Sequence, residues 1–369
     1  MTSIVHLSSA HPRDDVRIFH KQCRSLAAHG HTVSLVVADG LGDDRRDGIA
    51  IHDVGRAPNR LRRMLGTPRR VLARALALDA AIYQLHDPEL MPIGLQLKRR
   101  GKTVIFDAHE DLPLQLLGKP YLGRYSAPLL ARACARFERQ ACRRYDGVIA
   151  ATPAIRDKFL RVQAHTVDIN NFPLPQEFGA GLPWPQRPLQ VCYVGGLSAI
   201  RGIRQLAQAC ALLASPVRLQ LAGRFDDSAL AAQMAALPGW TRVDALGQLD
   251  RAGVALVLGS ARAGLVTLQP QPNHLAALPV KLFEYMAAGI PVIASDFPGW
   301  RRIVDGHGCG LCVDPLDPAA IAAAIDRLAG DPGLAERMGD NGRRAVAAHY
   351  NWPSEARKLV DFYERLTPR

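Results

Sequence analysis

Lys281 and Glu284 stand three residues apart in PVKLFEYMAAGIPVIAS (279–295), a spacing that puts an ammonium and a carboxylate on one helical face. Near a helix start, such a cation can meet phosphate and such a carboxylate can accept hydrogen bonds from a sugar diol. An isolated KxxE is also an ordinary surface ion pair, so the rest of the chain has to decide. Asp107-Ala108-His109-Glu110-Asp111 packs four ionisable groups into five residues, a mixture suited to binding hydroxyls or handling protons. His86 and Asp87 form a second polar pair; with Pro88 behind it, Asp87 is also placed to cap a helix. The run Ser9–Arg17 contributes His11, Arg13 and Asp15, either as a phosphate- or hydroxyl-binding turn or as a polar loop. Gly195 and Gly196 followed by Arg201, and Gly223 followed by Arg224, pair close backbone approach with a cation, as a diphosphate requires. This is not the GxGxxG of dinucleotide folds. Gln248, after Gly247, could offer backbone contacts to a base, or the pair is a plain turn.

These residues need elements to hold them at strand ends. In the first half, apolar runs at Ile4–Leu7, Val33–Val37, Ile49–Val54, Ala81–Leu85, Thr103–Phe106, Val148–Ala151 and Thr166–Ile169 alternate with helical stretches such as Ile18–His29, Leu90–Arg100 and Leu129–Arg144. That rhythm predicts an α/β, doubly wound parallel sheet. It restarts with strands at Leu189–Val194, Val217–Ala222, Val254–Leu258, Ile290–Ala294 and Gly310–Val313. Between the halves lie Pro173, Pro175, Pro183, Pro185 and Pro188, a stiff connector over 171–188. The expectation is a Rossmann-like domain over 1–170, a second over 189–350, and an amphipathic C-terminal segment over 351–369 packing back toward the first. Two such sheets facing across a cleft would gather the strand-end motifs.

The 369 residues carry a net charge of +12, and residues 1–170 hold 27 Lys/Arg against 17 Asp/Glu. A basic half suggests an anionic partner. Arg56, Arg60, Arg62, Arg63, Arg69, Arg70 and Arg74 are interleaved with leucines, which fits either a membrane-interface segment or a solvated Arg-rich helix. Nucleic acid is disfavoured, because no recognition motif and no basic–aromatic interleaving occur. No apolar run is long enough to span a bilayer, and the N-terminus reads as a strand, not a signal peptide. Cys309-Gly-Leu-Cys312 has no partner ligand pair, so the seven cysteines read as reduced thiols of a cytoplasmic protein.

On HPRDDVRIFHKQCRSLAAHGHTVSLVV, QLHDPEL, IFDAHEDLP, VGGLSAIRGI and PVKLFEYMAAGIPVIAS, the chain resembles the GT-B glycosyltransferases, specifically the retaining nucleotide-sugar-dependent enzymes of family 4. The resemblance implies sugar transfer from a nucleoside diphosphate donor, UDP- or GDP-linked, to a glycan or lipid-linked hydroxyl in cell-surface polysaccharide or lipopolysaccharide assembly. It implies Glu284 on the donor ribose, Arg201 on the diphosphate and His109 near the transferred sugar and acceptor. His11, Arg13, Asp15, His86, Asp87, Asp107 and Glu110 fall on the acceptor side. Ala276 stands where the family's EX7E motif begins with Glu, and Gly196 where many members carry Arg. Lys281 is the candidate replacement cation and Asn273 the candidate sugar contact. No DxD-type carboxylate pair is evident, so no metal or other cofactor is expected. A nucleotide-sugar epimerase and a non-catalytic nucleotide-sugar-binding protein are the alternatives, and peripheral contact with an anionic inner membrane face suits the basic half.

Overall fold

A computed structural model describes residues 1–118, 122–123, 125–174, 177–179 and 181–366. Pro175 of the expected connector and residues 367–369 of the C-terminal segment lie outside the described residues. The chain forms two compact units, Met1–Asn171 with Pro353–Arg369, and Phe172–Trp352.

The first unit is built on β1 (Ser3–Leu7), β2 (Thr32–Val37), β3 (Asp44–Arg46), β4 (Ile49–Asp53), β5 (Ile82–Leu85), β6 (Thr103–Ala108), β7 (Gly147–Ala150) and β8 (Thr166–Asp168). Their order is β3-β4-β2-β1-β5-β6-β7-β8, parallel except for β3. The β-branched strands that the periodicity predicts are all present, because strands covered on both faces read as continuous apolar runs. β3 was not expected: its sequence, DRR, is a charged edge strand with no apolar pattern to announce it. A π-helix, Val16–Cys23, and α1 (Arg24–Ala28) connect β1 to β2. α2 (Arg60–Leu78), α3 (Met91–Arg99) and α5 (Ser126–Cys142) carry the chain the other way across the sheet, with α4 (Leu112–Leu117) packed on α5. Right-handed crossovers therefore put α2, α3 and α5 on one face and the π-helix on the other. α6 (Pro153–Leu160) precedes β8.

The second unit is an all-parallel sheet of order β11-β10-β9-β12-β13-β14, from β9 (Gln190–Val194), β10 (Arg218–Ala222), β11 (Val243–Gly247), β12 (Gly264–Val266), β13 (Val292–Ser295) and β14 (Gly310–Val313). Its helices are α7 (Ile203–Leu212), α8 (Ser228–Ala235), α9 (Arg251–Ser260), α10 (Pro272–Leu275), α11 (Val280–Ala287), α12 (Pro298–His307), α13 (Pro318–Gly330) and α14 (Pro332–His349). The strand expected at Val254–Leu258 is wrong: those residues lie in α9, whose start is fixed by the Asp250 carboxylate accepting from Gly253 N–H at 2.8 Å. A short apolar run does not distinguish a buried strand from a buried helix, and the cap decides here. The central strand is instead β12, only three residues long.

The last helix, α15 (Trp352–Leu366), belongs to the first unit from Pro353 onward. Leu359, Val360, Phe362 and Tyr363 are buried. Tyr363 hydrogen-bonds Gln84 of β5, and Glu355 accepts from Asn170 N–H at 2.6 Å.

Candidate functional site

In the second unit, β9 and β10 run out into glycine, and the backbone at the end of β10 tolerates no side chain. A Cβ at Gly223 would lie 1.9 Å from the Gly195 carbonyl oxygen, and the Gly223 φ is +153°. The ends of β9 and β10 thus touch through glycine. Above them opens a cleft of about 320 Å³ lined by Gly195, Gly196, Gly223, Arg224 and Gln248, and by Asp226, Leu249 and Val254. Five of the expected donor residues therefore share one surface. Gly223→Ala should cost about 1–3 kcal/mol of stability through overpacking. Gly247→Ala, where a Cβ meets nothing within 4 Å at φ +69°, should cost only the left-handed strain of about 1–2 kcal/mol. Denaturant unfolding of the two variants checks this pair.

Two cations meet at the Gly195-Gly196 turn. Arg201 ends a 3₁₀ turn, Ala199–Arg201, and a Cβ on Gly196 would sit 3.4 Å from its Nη1. Lys281 reaches the same turn from α11: a Cβ on Gly195 would lie 3.0 Å from Nζ. That helix is seated by Tyr285, whose hydroxyl accepts from Val194 N–H at 2.9 Å and whose ring occupies the space a side chain at Gly264 would fill. Lys281 Nζ is buried with no hydrogen-bond partner among the described residues, 3.6 Å from the centroid of the Tyr193 ring. Burial, then the neighbouring Arg201 charge, hold its pKa well below the ordinary lysine value, against the pull of Glu284. Burial without an acceptor disfavours the charged form of this amine, and an incoming anion would restore it.

Glu284, one helical turn further on, is 8% exposed and accepts from Arg251 Nη1 at 2.9 Å through Oε1. Its Oε2 has no protein partner among the described residues. Arg251 also pairs with Glu177. Arg251 and Val254 were missed because their helix was read as a strand; the Asp-x-x-Gly cap at 250–253 was the signal available. Asn273 and Ala276 lie in and just after the four-residue α10, and Asn273, like Arg201, Lys281 and Glu284, is not among the residues lining the cleft.

The first unit gathers a separate polar cluster at the carboxyl ends of β1, β5 and β6. Asp107 is completely buried. Its carboxylate accepts from Arg17 Nη2 at 2.7 Å and Nε at 3.2 Å, and from Gln22 Nε2 at 2.7 Å. Both donors come from the π-helix, whose wide turn presents them side by side. His86 Nδ1 and His109 Nε2 each lie 3.2 Å from Asp107 Oδ2. Burial opposes charge on Asp107, but Arg17 and the two imidazoles overcome it and hold the carboxyl well below the usual range. His86 is pushed down, chiefly by burial, and its Nε2 meets His6 Nδ1 at 2.9 Å. His86, Asp107 and His109 present three potential metal-ligand atoms within 4.8 Å of one another. The donors of Arg17 and Gln22 already converge on the shared oxygen, which makes this a hydrogen-bonded cluster.

His11 joins the cluster between Asp15 and Asp87, at 3.3 and 3.4 Å. Despite burial, these carboxylates raise its pKa. Asp15 also caps the π-helix, accepting from Arg17 and Ile18 N–H at 2.9 Å. Three expectations need correction. Asp87 makes no cap hydrogen bond; it accepts from Ser8 Oγ, Ser9 N–H and Ala10 N–H and so clamps the loop after β1. Arg13 is turned away into a bidentate pair with Asp39, both bonds 2.8 Å, because that carboxylate and the Gly42 carbonyl saturate its fork. Glu110 is exposed and pairs with Gln115, outside the cluster.

A model of glycosyl transferases group 1 matches residues 176–345, and one of a glycosyl transferase 4-like domain matches residues 16–175. A phosphatidyl-myo-inositol mannosyltransferase of Mycobacterium leprae is 35% identical over 151 residues, 41% of this chain and 38% of that protein. An MMP alpha-(1->4)-mannosyltransferase of Mycolicibacterium hassiacum is 28% identical over 46% of this chain and 41% of that protein. The matched stretch is thus less than half the length of either relative. Sucrose-phosphate synthase of Thermosynechococcus elongatus superposes with a TM-score of 0.82 at 21% identity, covering 99% of both chains. Anabaena HepE in complex with UDP-glucose gives 0.76 at 15% identity, over 99% of this chain and 100% of that one.

Proposed function

The chain belongs to the group 1 glycosyl transferases, family 4 of the GT-B type, and from that premise we propose that it moves a sugar from a nucleoside diphosphate to a hydroxyl of a glycan or lipid-linked acceptor, with retention of anomeric configuration. The observation that carries this is the convergence of Arg201 and the unpartnered Lys281 on the Gly195-Gly196 turn. Two cations over a side-chain-free backbone fit a diphosphate. In the reaction, the bond from the anomeric carbon to the diphosphate oxygen breaks, and the leaving group gathers negative charge. Arg201 and Lys281 stabilise that charge, a preorganised role that asks for no metal. Glu284 Oε2 accepts from the ribose diol, and the backbone around Gln248 meets the base. A leaving phosphate oxygen takes the acceptor proton in a front-face route, while His109, held by Asp107, orients the acceptor end.

UDP- or GDP-sugars are the proposed donors. The named ligand of the HepE structure supports the first. The name of the phosphatidyl-myo-inositol mannosyltransferase supports a lipid-linked acceptor, and a place in cell-envelope glycan assembly at the inner membrane face is part of the same proposal. A thermal-shift panel of UDP, GDP, ADP and TDP tests the donor reading. The matching diphosphate at about a hundred times its Kd should add roughly 2.7 kcal/mol of stability. No shift with any of the four would overturn it. Isomerised donor in the absence of acceptor would mark an epimerase instead.

A further inference from the structure

We propose that the outward flank of α5, together with the first two turns of α2, docks the first unit onto an anionic bilayer surface. The proposal rests on the lipid-linked-acceptor reading above and adds the surface that would bring such an acceptor within reach. Along α5, Leu129, Ala133 and Phe137 follow one another at four-residue spacing, with Leu130 beside them, and Leu129 is 70% exposed. These side chains share one stripe. Arg132, Arg136 and Arg139 line one margin of that stripe, all exposed and without an ion pair among the described residues. The only acid of α5, Glu138, points inward, is buried, and is paired with Lys158 at 2.7 Å. Every charged side chain on the outward face is therefore cationic, with Gln140 as a neutral polar neighbour.

α2 repeats the pattern. It contains no Asp or Glu; Leu61 and Leu65 are 67% and 68% exposed, and Arg62 and Arg69 are exposed beside them. Other arginines of the same helix are committed elsewhere: Arg63 to Glu89, and Arg74 to Asp43. Both helices lie on one face of the sheet, and each begins after a strand's carboxyl end, the edge where His86, Asp87 and His109 gather. The Arg63–Glu89 pair, at 2.6 Å, ties the first turn of α2 to the segment that carries His86 and Asp87. Leucine and phenylalanine beside unpaired arginines match the acyl boundary and the phosphate layer of a membrane. A second copy of the same face would set arginine against arginine, so charge favours lipid over self-association. Among the described residues no helix is long and apolar enough to cross a membrane, so this contact is interfacial.

Flotation of the full chain with phosphatidylcholine vesicles, with and without phosphatidylglycerol, tests the proposal. Binding should require phosphatidylglycerol and weaken as salt rises. The pair Arg132→Glu and Arg136→Glu should lower vesicle binding by about 10- to 100-fold, at roughly 1 kcal/mol per cation near the surface with further repulsion from the acids. Leu129→Ser with Phe137→Ser should also lower it. All four substitutions are on the surface, so the thermal shift with the matching diphosphate should stay unchanged. Wild-type-like flotation of both variants, no flotation of the wild type, or a wild-type dimer that the variants dissolve would each overturn the docking. A missing diphosphate shift would instead overturn the donor reading.

Discussion

Lys281→Met should lower transfer by about 100-fold or more, the scale seen when a preorganised transition-state charge contact is removed, while the unliganded protein stays as stable as before or gains stability. The two halves of that expectation have one cause. Nζ sits buried beside Arg201 without an acceptor, so folding bears its desolvation and binding an anion recovers it. An unbranched thioether of similar length fills the same space at no electrostatic cost. Affinity for the nucleoside diphosphate should fall, and affinity for the bare nucleoside should not. Because the native pKa is below the unfolded value, the unfolded chain binds the extra proton between the two, and apo stability falls as pH drops through that window. Diphosphate binding should then take up protons, measurable by calorimetry in buffers of different ionisation enthalpy, and the Met variant should lose that uptake. Unchanged turnover in Lys281→Met would remove the lysine from the site.

Asp107→Ala should destabilise the first unit by about 3–5 kcal/mol, the usual cost of stranding a buried partner charge. The substitution strands more than one group: Arg17 keeps a single acceptor, the Ile169 carbonyl, while Gln22, His86 and His109 lose the oxygen they share. The same carboxylate sets a pH limit. Its native pKa is depressed below the unfolded value, so its contribution is complete above the unfolded pKa and is lost as pH falls through the native one. Urea unfolding of wild type, Asp107→Ala and Asp107→Asn between neutral and acidic pH measures both effects. A loss under about 1 kcal/mol in the Ala variant would contradict the central place given to this residue. His109 is only partly buried, and His109→Ala should leave the scaffold standing.

The contrast between Asp107 and Arg13 shows where reading the chain succeeds. Strands with continuous Val, Ile and Leu were legible because burial on both faces leaves no alternative composition, and their ends located the polar groups. Which of those groups faces the cluster was not legible. Arg13 and Arg17 are four apart in a single motif, yet Asp39, far along the chain, claims one, and Asp107 claims the other. Only tertiary pairing separates them. α9 escaped for a different reason: Val254–Leu258 fits either period, and the capping aspartate lay just outside the run. Lys281 was legible by spacing alone, but its burial over Tyr193, which gives it its energetic character, depends on a neighbour nearly ninety positions away.

The order of elements along the chain makes the second unit an insertion within the first. Its two ends are neighbours: Trp352 N–H donates to the Pro173 carbonyl at 3.0 Å. Residues 172–352 can therefore be excised as one continuous piece, with a short linker closing the gap left behind. Conversely, trimming the chain from its carboxyl end does not shorten the second unit. It strips Tyr363 from Gln84 and Glu355 from Asn170, and so dismantles the half that was synthesised first.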